Sequence, residues 1–128
     1  MTDPAPQQAP IEDYALLSDQ RTAALVTRGG TVDFLCMPRF DSPGLMLSLP
    51  GDADNGHWDL AVAGGEVAER RYLDGTLVLE TLWRGPEGEA TVTDFLAIAL
   101  EPSAGSGTDP HADPSRLVRL VRCTAGSV

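Results

Sequence analysis

From Ile11 onward the apolar residues fall into short runs, each closed by glycine, proline, aspartate or serine, a rhythm that predicts strands joined by turns. Tyr14-Ala15-Leu16-Leu17 is the first run, ended by Ser18-Asp19. Thr22 to Val26 and Thr31 to Cys36 then flank Arg28-Gly29-Gly30, whose paired glycines can supply the positive φ of a tight hairpin turn. Within the second arm, Val32, Phe34 and Cys36 alternate with Thr31, Asp33 and Leu35, which predicts a strand with the first set inward and the second wet. Pro38 and Pro43 bracket the next residues, and each biases its predecessor away from helix, so Met37 to Ser42 reads as an extended loop. Leu45 to Leu49 fits a helical turn or a strand, and Pro50 to Gly56 is a loop.

Further strands are expected over His57 to Val62, Val67 to Leu73 and Thr76 to Trp83, with Asp74-Gly75 turning the chain between the last two. Trp83 to Gly88 reverses it again into Glu89 to Phe95. Pro102 to Ser115 is dominated by Ser, Gly, Asp and Pro and reads as a surface loop. In Arg116 to Cys123, Leu117, Val118, Leu120 and Val121 suit either a helical face or a buried strand, and periodicity alone does not decide. The whole pattern predicts an all-β protein, an antiparallel sandwich of about seven or eight short strands. Residues 1–9, polar and proline-rich, read as a disordered tail, and 10–128 as one domain.

Composition narrows the partners. Nineteen acids face nine bases, a formal charge of −10, and every base is arginine. Such a surface repels phosphate backbones and anionic lipid, so neither nucleic acid nor membrane is an expected partner. The first residues lack the basic and apolar regions of a secretory signal, and no run approaches membrane-spanning length, which points to the cytoplasm. Cys36 and Cys123 are then expected as reduced, buried thiols, with a bridge between them as the alternative. His57 and His111 show no ligand spacing to either thiol, so no metal or other cofactor is expected.

Glycoside hydrolysis would need two carboxyls about 5 to 9.5 Å apart. Asp33, Asp41, Asp94, Glu80 and Glu89 are the acids nearest strands. Asp33, beside the hairpin turn, reads as solvated or bonded to backbone amides, while Glu80 and Glu89 read as opposite one another on the wet face of a hairpin. No pair among them makes a convincing catalytic couple. Arg39-Phe40-Asp41 differs in kind, because flanking prolines restrict the loop before any ligand arrives. A guanidinium fork and a carboxylate can bond sugar hydroxyls and a phenyl ring can stack on a sugar. Equally, Arg39 and Asp41 can pair with each other and pin the loop. Trp58, Tyr72 and Trp83 fit core or interface better than an exposed sugar platform. Ser18 and Ser42 have no neighbouring histidine with which to build a hydrolytic triad.

Several of these segments together resemble a known family. Pro10-Ile11-Glu12-Asp13-Tyr14, the loop from Pro38 to Pro43, and Tyr72-Leu73-Asp74-Gly75-Thr76-Leu77-Val78-Leu79-Glu80-Thr81 occur in the order seen at the start of trehalase-like and glucoamylase-like enzymes, the family 15 glycoside hydrolases. Thr91-Val92-Thr93-Asp94-Phe95, Leu117-Val118-Arg119 and Cys123-Thr124-Ala125-Gly126 also fit. Relatives usually have tryptophan where Phe34 stands and phenylalanine-like residues at Leu45 and Met46. The resemblance implies the N-terminal sandwich of an inverting α-glucoside hydrolase whose two catalytic glutamates lie on a separate helical barrel, so none is carried over to this chain. It also implies that Arg39, Phe40 and Asp41 face that barrel or its sugar, that Arg116 to Cys123 is a strand, and that further strands are missing. Open edges would then favour self-association. An independent carbohydrate-binding module and a strand-pairing assembly domain are the alternatives.

Overall fold

The computed structural model describes residues 9–98 and 115–128. The tail expected over 1–9 and the loop over 102–115 lie almost wholly outside the described residues. Among the described residues there are nine strands: β1 (Ala15–Ser18), β2 (Ala23–Val26), β3 (Thr31–Cys36), β4 (Gly44–Met46), β5 (Trp58–Asp59), β6 (Glu66–Tyr72), β7 (Leu79–Arg84), β8 (Gly88–Ala97) and β9 (Arg116–Gly126). They form two antiparallel sheets, one ordered β1-β2-β3-β4 with β5 also on β3, the other ordered β6-β7-β8-β9. Strands consecutive in the chain are neighbours in both sheets except β5, which follows β4 after a loop but pairs with β3. The fold is an all-β sandwich, and no described helix is long and apolar enough to cross a membrane.

Leu17, Ala24, Val26, Val32 and Leu35 of the first sheet pack against Leu79 and Leu96 of the second to form the core. The phase expected for β3 changes partway along. Val26 pairs with Val32 and Leu25 with Phe34, so Asp33 is an extra, unmatched residue in the ladder. A bulge of this kind reverses the alternation beyond it. Val32 points inward as expected, but past the bulge Leu35 is buried and Phe34 is only half-buried. At the preceding turn, Gly30 alone has positive φ, 89°. A Cβ there would stand 2.2 Å from the Leu60 carbonyl oxygen.

Other boundaries differ from expectation for local reasons. The strand expected over His57 to Val62 shrinks to Trp58–Asp59, whose partners are Val32 and Thr31. The strand expected from Thr76 starts at Leu79, because the Thr76 hydroxyl donates to the Leu73 carbonyl and accepts from the Val78 amide, which closes a turn. Arg116–Gly126 is a strand along its whole length, paired with β8. Neither cysteine is bridged. Cys36 is buried, whereas Cys123 is exposed, against the expectation of two buried thiols, because β9 has a neighbour on one side only among the described residues.

The two sheets are pinned at both flanks. On one flank the Tyr72 hydroxyl of β6 accepts from the Leu16 amide and donates to the Leu16 carbonyl, at 2.9 and 3.0 Å, so one phenol satisfies a stretch of the outer edge of β1. On the other, Arg119 of β9 meets Asp94 through Nε at 2.8 Å and reaches the carbonyls of Gly30 and Trp58 at 2.7 and 2.9 Å. Its guanidinium also lies 5.3 Å from the centre of the Trp58 ring. Trp83 is buried, while Trp58 and Tyr72 serve as half-exposed contacts between sheets.

Candidate functional site at the loop end of the sandwich

The expected site residues sit in the β3–β4 loop. Local hydrogen bonds set its shape: the Arg39 amide donates to the Ser42 hydroxyl and the Ser42 amide to the Arg39 carbonyl, both at 3.1 Å. The Phe40 amide donates to the Arg21 carbonyl at 3.2 Å, which ties the loop to the β1–β2 turn. Arg39 and Asp41 face each other, Nε to Oδ1 at 3.1 Å and Nη2 to Oδ2 at 3.3 Å. Both side chains are mainly exposed, so water screens the pair and its worth is below about 1 kcal/mol. Phe40 is 59% exposed at the crest between them. The three residues are therefore together and open to an approaching surface, with Arg39 and Asp41 neutralising one another.

The same end of the sandwich gathers four more pieces. The β1–β2 turn contributes Gln20, held at φ 73° by Ser18 and Asp19. The β6–β7 turn (73–78) contributes Asp74 and Leu77, and the end of β8 contributes Ile98. Ser115, just before β9, donates its hydroxyl to the Pro38 carbonyl at 3.0 Å. Between the β1–β2 turn, the β6–β7 turn and the end of β8 lies a cleft of about 670 Å³. The Phe40–Arg21 and Ser115–Pro38 links bring segments far apart in sequence to one end, and no spacing in the chain signals that meeting.

The candidate carboxyls do not meet. Asp94 is buried beneath Arg119. Asp33 is buried at the bulge, where it accepts from the Tyr14 hydroxyl at 2.6 Å, rather than being solvated. Burial lifts the Asp33 carboxyl above its usual range, only partly offset by the Tyr14 hydrogen bond, and its Oδ1 is buried without a partner among the described residues. Burial first and the Asp33 carboxylate second raise the Tyr14 phenol too. Glu80 and Glu89 are not opposite each other. Register places Glu80 across from Thr93 and Arg71, and Glu89 across from Arg84. Each takes its own arginine, at 3.0 and 2.9 Å. Five acids thus hold five separate local contacts.

Residues 5–124 match the family model described as trehalase-like, N-terminal. The chain belongs to this family. It is 37% identical over 127 residues to the trehalase of Mycolicibacterium smegmatis, an alignment covering 93% of this chain and 19% of that protein. With the trehalase of Mycobacterium tuberculosis the identity is 36% over 127 residues, covering 93% and 18%. This trehalase-like N-terminal domain therefore spans about a fifth of the length of those curated relatives. No solved structure matches it. The match encloses the β3–β4 loop, both cleft-lining turns and the Asp94–Arg119 pair, so the loop end lies within the family's own territory.

Proposed function

We propose that residues 10–128 act as one non-catalytic domain, the N-terminal sandwich of an α-glucoside hydrolase of trehalase or glucoamylase type working in the cytoplasm. The observation that carries this reading is the family match over almost all of the chain, set against the fifth of the relatives' length that the match occupies. The five separately engaged carboxyls support it, since hydrolysis needs an acid and a base flanking one bond. Free thiols at Cys36 and Cys123 suit a reducing compartment. In this reading Arg39, Phe40 and Asp41 face the helical catalytic barrel or the rim of its sugar site. There the ion pair can open to bond sugar hydroxyls, and the Phe40 ring can cover an apolar sugar face.

The test is hydrolysis of trehalose and of maltose by the chain alone and by the same chain joined to the rest of its enzyme. Turnover is expected only when the two are joined. An ordinary enzymatic rate from residues 1–128 alone would refute the proposal.

A second reading has an observation of its own. Among the described residues β9 is paired only with β8, and Leu120 and Val121 on it are more than half exposed. An unprotected edge of this length recruits further strands, so the isolated chain is expected to self-associate. Light scattering at several concentrations checks this, and a monomer at every concentration would count against it.

A further inference from the structure

The cleft at the loop end has walls whose hydroxyl groups are already engaged. The Ser18 hydroxyl donates to the Thr22 carbonyl and accepts from the Gln20 amide. The Thr76 hydroxyl is occupied within its own turn and the Tyr72 hydroxyl on the edge of β1. A sugar would find those three hydroxyls already taken. Apolar surface, in contrast, is available: of the residues that line the cleft, Leu77 is 44% and Ile98 67% exposed. Covering such surface is favourable by about 25 cal/mol per Å².

Charge points the same way. The chain as a whole carries −10, yet Asp74 is the one charged side chain among the described residues that line the cleft. A wall with so few charges costs less to strip of water than the acidic remainder of the surface. The curated relatives are about five times as long as the matched stretch, and in a protein of that length the remainder is an occupant within the same polypeptide.

From these observations we propose that the cleft edged by Leu77 and Ile98 is the docking surface for the remainder of the longer enzyme, with an apolar side chain of that remainder seated in it. The inference rests on the domain reading above and adds the surface through which the domain acts.

Maleimide labelling tests it. Leu77→Cys and Ile11→Cys are each introduced in a Cys123→Ser background. Position 11 is 80% exposed beside the start of β1, away from the cleft, and serves as the reference. Both positions should label rapidly in the chain alone. In the full-length enzyme, position 77 should label at least tenfold more slowly than position 11. Equal rates in the full-length enzyme overturn the inference. So does slowing in the chain alone, whether it depends on protein concentration, which identifies a second copy as occupant, or on added trehalose, which identifies a sugar. If equal rates are found while removal of residues 1–128 still abolishes hydrolysis, the domain reading stands and only the surface is wrong. If their removal leaves hydrolysis intact, the domain reading itself fails.

Discussion

Arg119 and Asp94 are both almost wholly removed from water, with side chains 1% and 2% exposed, so their pairing is judged by what each would cost alone. Removing one member of a buried pair leaves an uncompensated charge, a loss of about 3–5 kcal/mol. Arg119→Met is therefore expected to destabilise the domain by that amount in denaturant titration, and to free the Gly30 and Trp58 carbonyls it holds. Replacing both members, as in Arg119→Met with Asp94→Leu, should recover much of the loss, because no orphan charge remains. Asp33 behaves oppositely. Its folded pKa is raised, so between the unfolded carboxylate value, about 3.9, and the raised one the folded state binds the proton more tightly. Stability therefore falls as pH rises through that window and stays reduced above it. Asp33→Asn, which keeps an oxygen for the Tyr14 hydroxyl, should flatten this dependence and raise the melting temperature more at pH 7 than at pH 4. A larger gain at pH 4 would contradict the assignment. The sequence showed Asp33 beside a turn, but its burial came from a bulge, which depends on how β2 and β3 align and not on residue type.

Edges decide the behaviour of the elements. The free side of β1 is met by the Tyr72 hydroxyl, which engages both polar groups of Leu16. Tyr72→Phe should cost about 1–3 kcal/mol if those groups lose their partner, and the Leu16 amide should exchange with deuterium markedly faster. Unchanged exchange would mean that water replaces the phenol without loss. On β9 no comparable cap exists among the described residues, and Cys123 is exposed there. Cys123 should react with a thiol reagent far faster than buried Cys36, and comparable rates would show that the edge is covered in solution. Strand existence was legible from alternating apolar runs in most of these elements. The identity of Arg116–Gly126 was not, because Leu117, Val118, Leu120 and Val121 suit both periods. Pairing with β8 settles it, a long-range contact that local spacing does not encode.

At the scale of the whole molecule, the proposed docking role is tested through the cleft that Leu77 and Ile98 line at one end of a small acidic sandwich. Leu77→Asp in the full-length enzyme is expected to reduce hydrolysis several-fold while leaving the melting of the isolated chain nearly unchanged, since Leu77 sits on an exposed turn. Equal damage to both would indicate a folding defect. The chain's own order of apolar and polar residues determined the all-β class, the hairpins and the family, because strand period and turn chemistry are local properties carried by adjacent residues. It also marked Arg39, Phe40 and Asp41 as a restrained loop, through Pro38 and Pro43. Only the tertiary structure decided that this loop lies beside the β1–β2 turn and the start of β9, at the end that also holds the cleft, that Asp94 is neutralised by Arg119, and that Glu80 and Glu89 each take a separate arginine. Those outcomes depend on register and on the packing of one sheet over the other, which bring together residues whose separation in sequence carries no trace of their meeting.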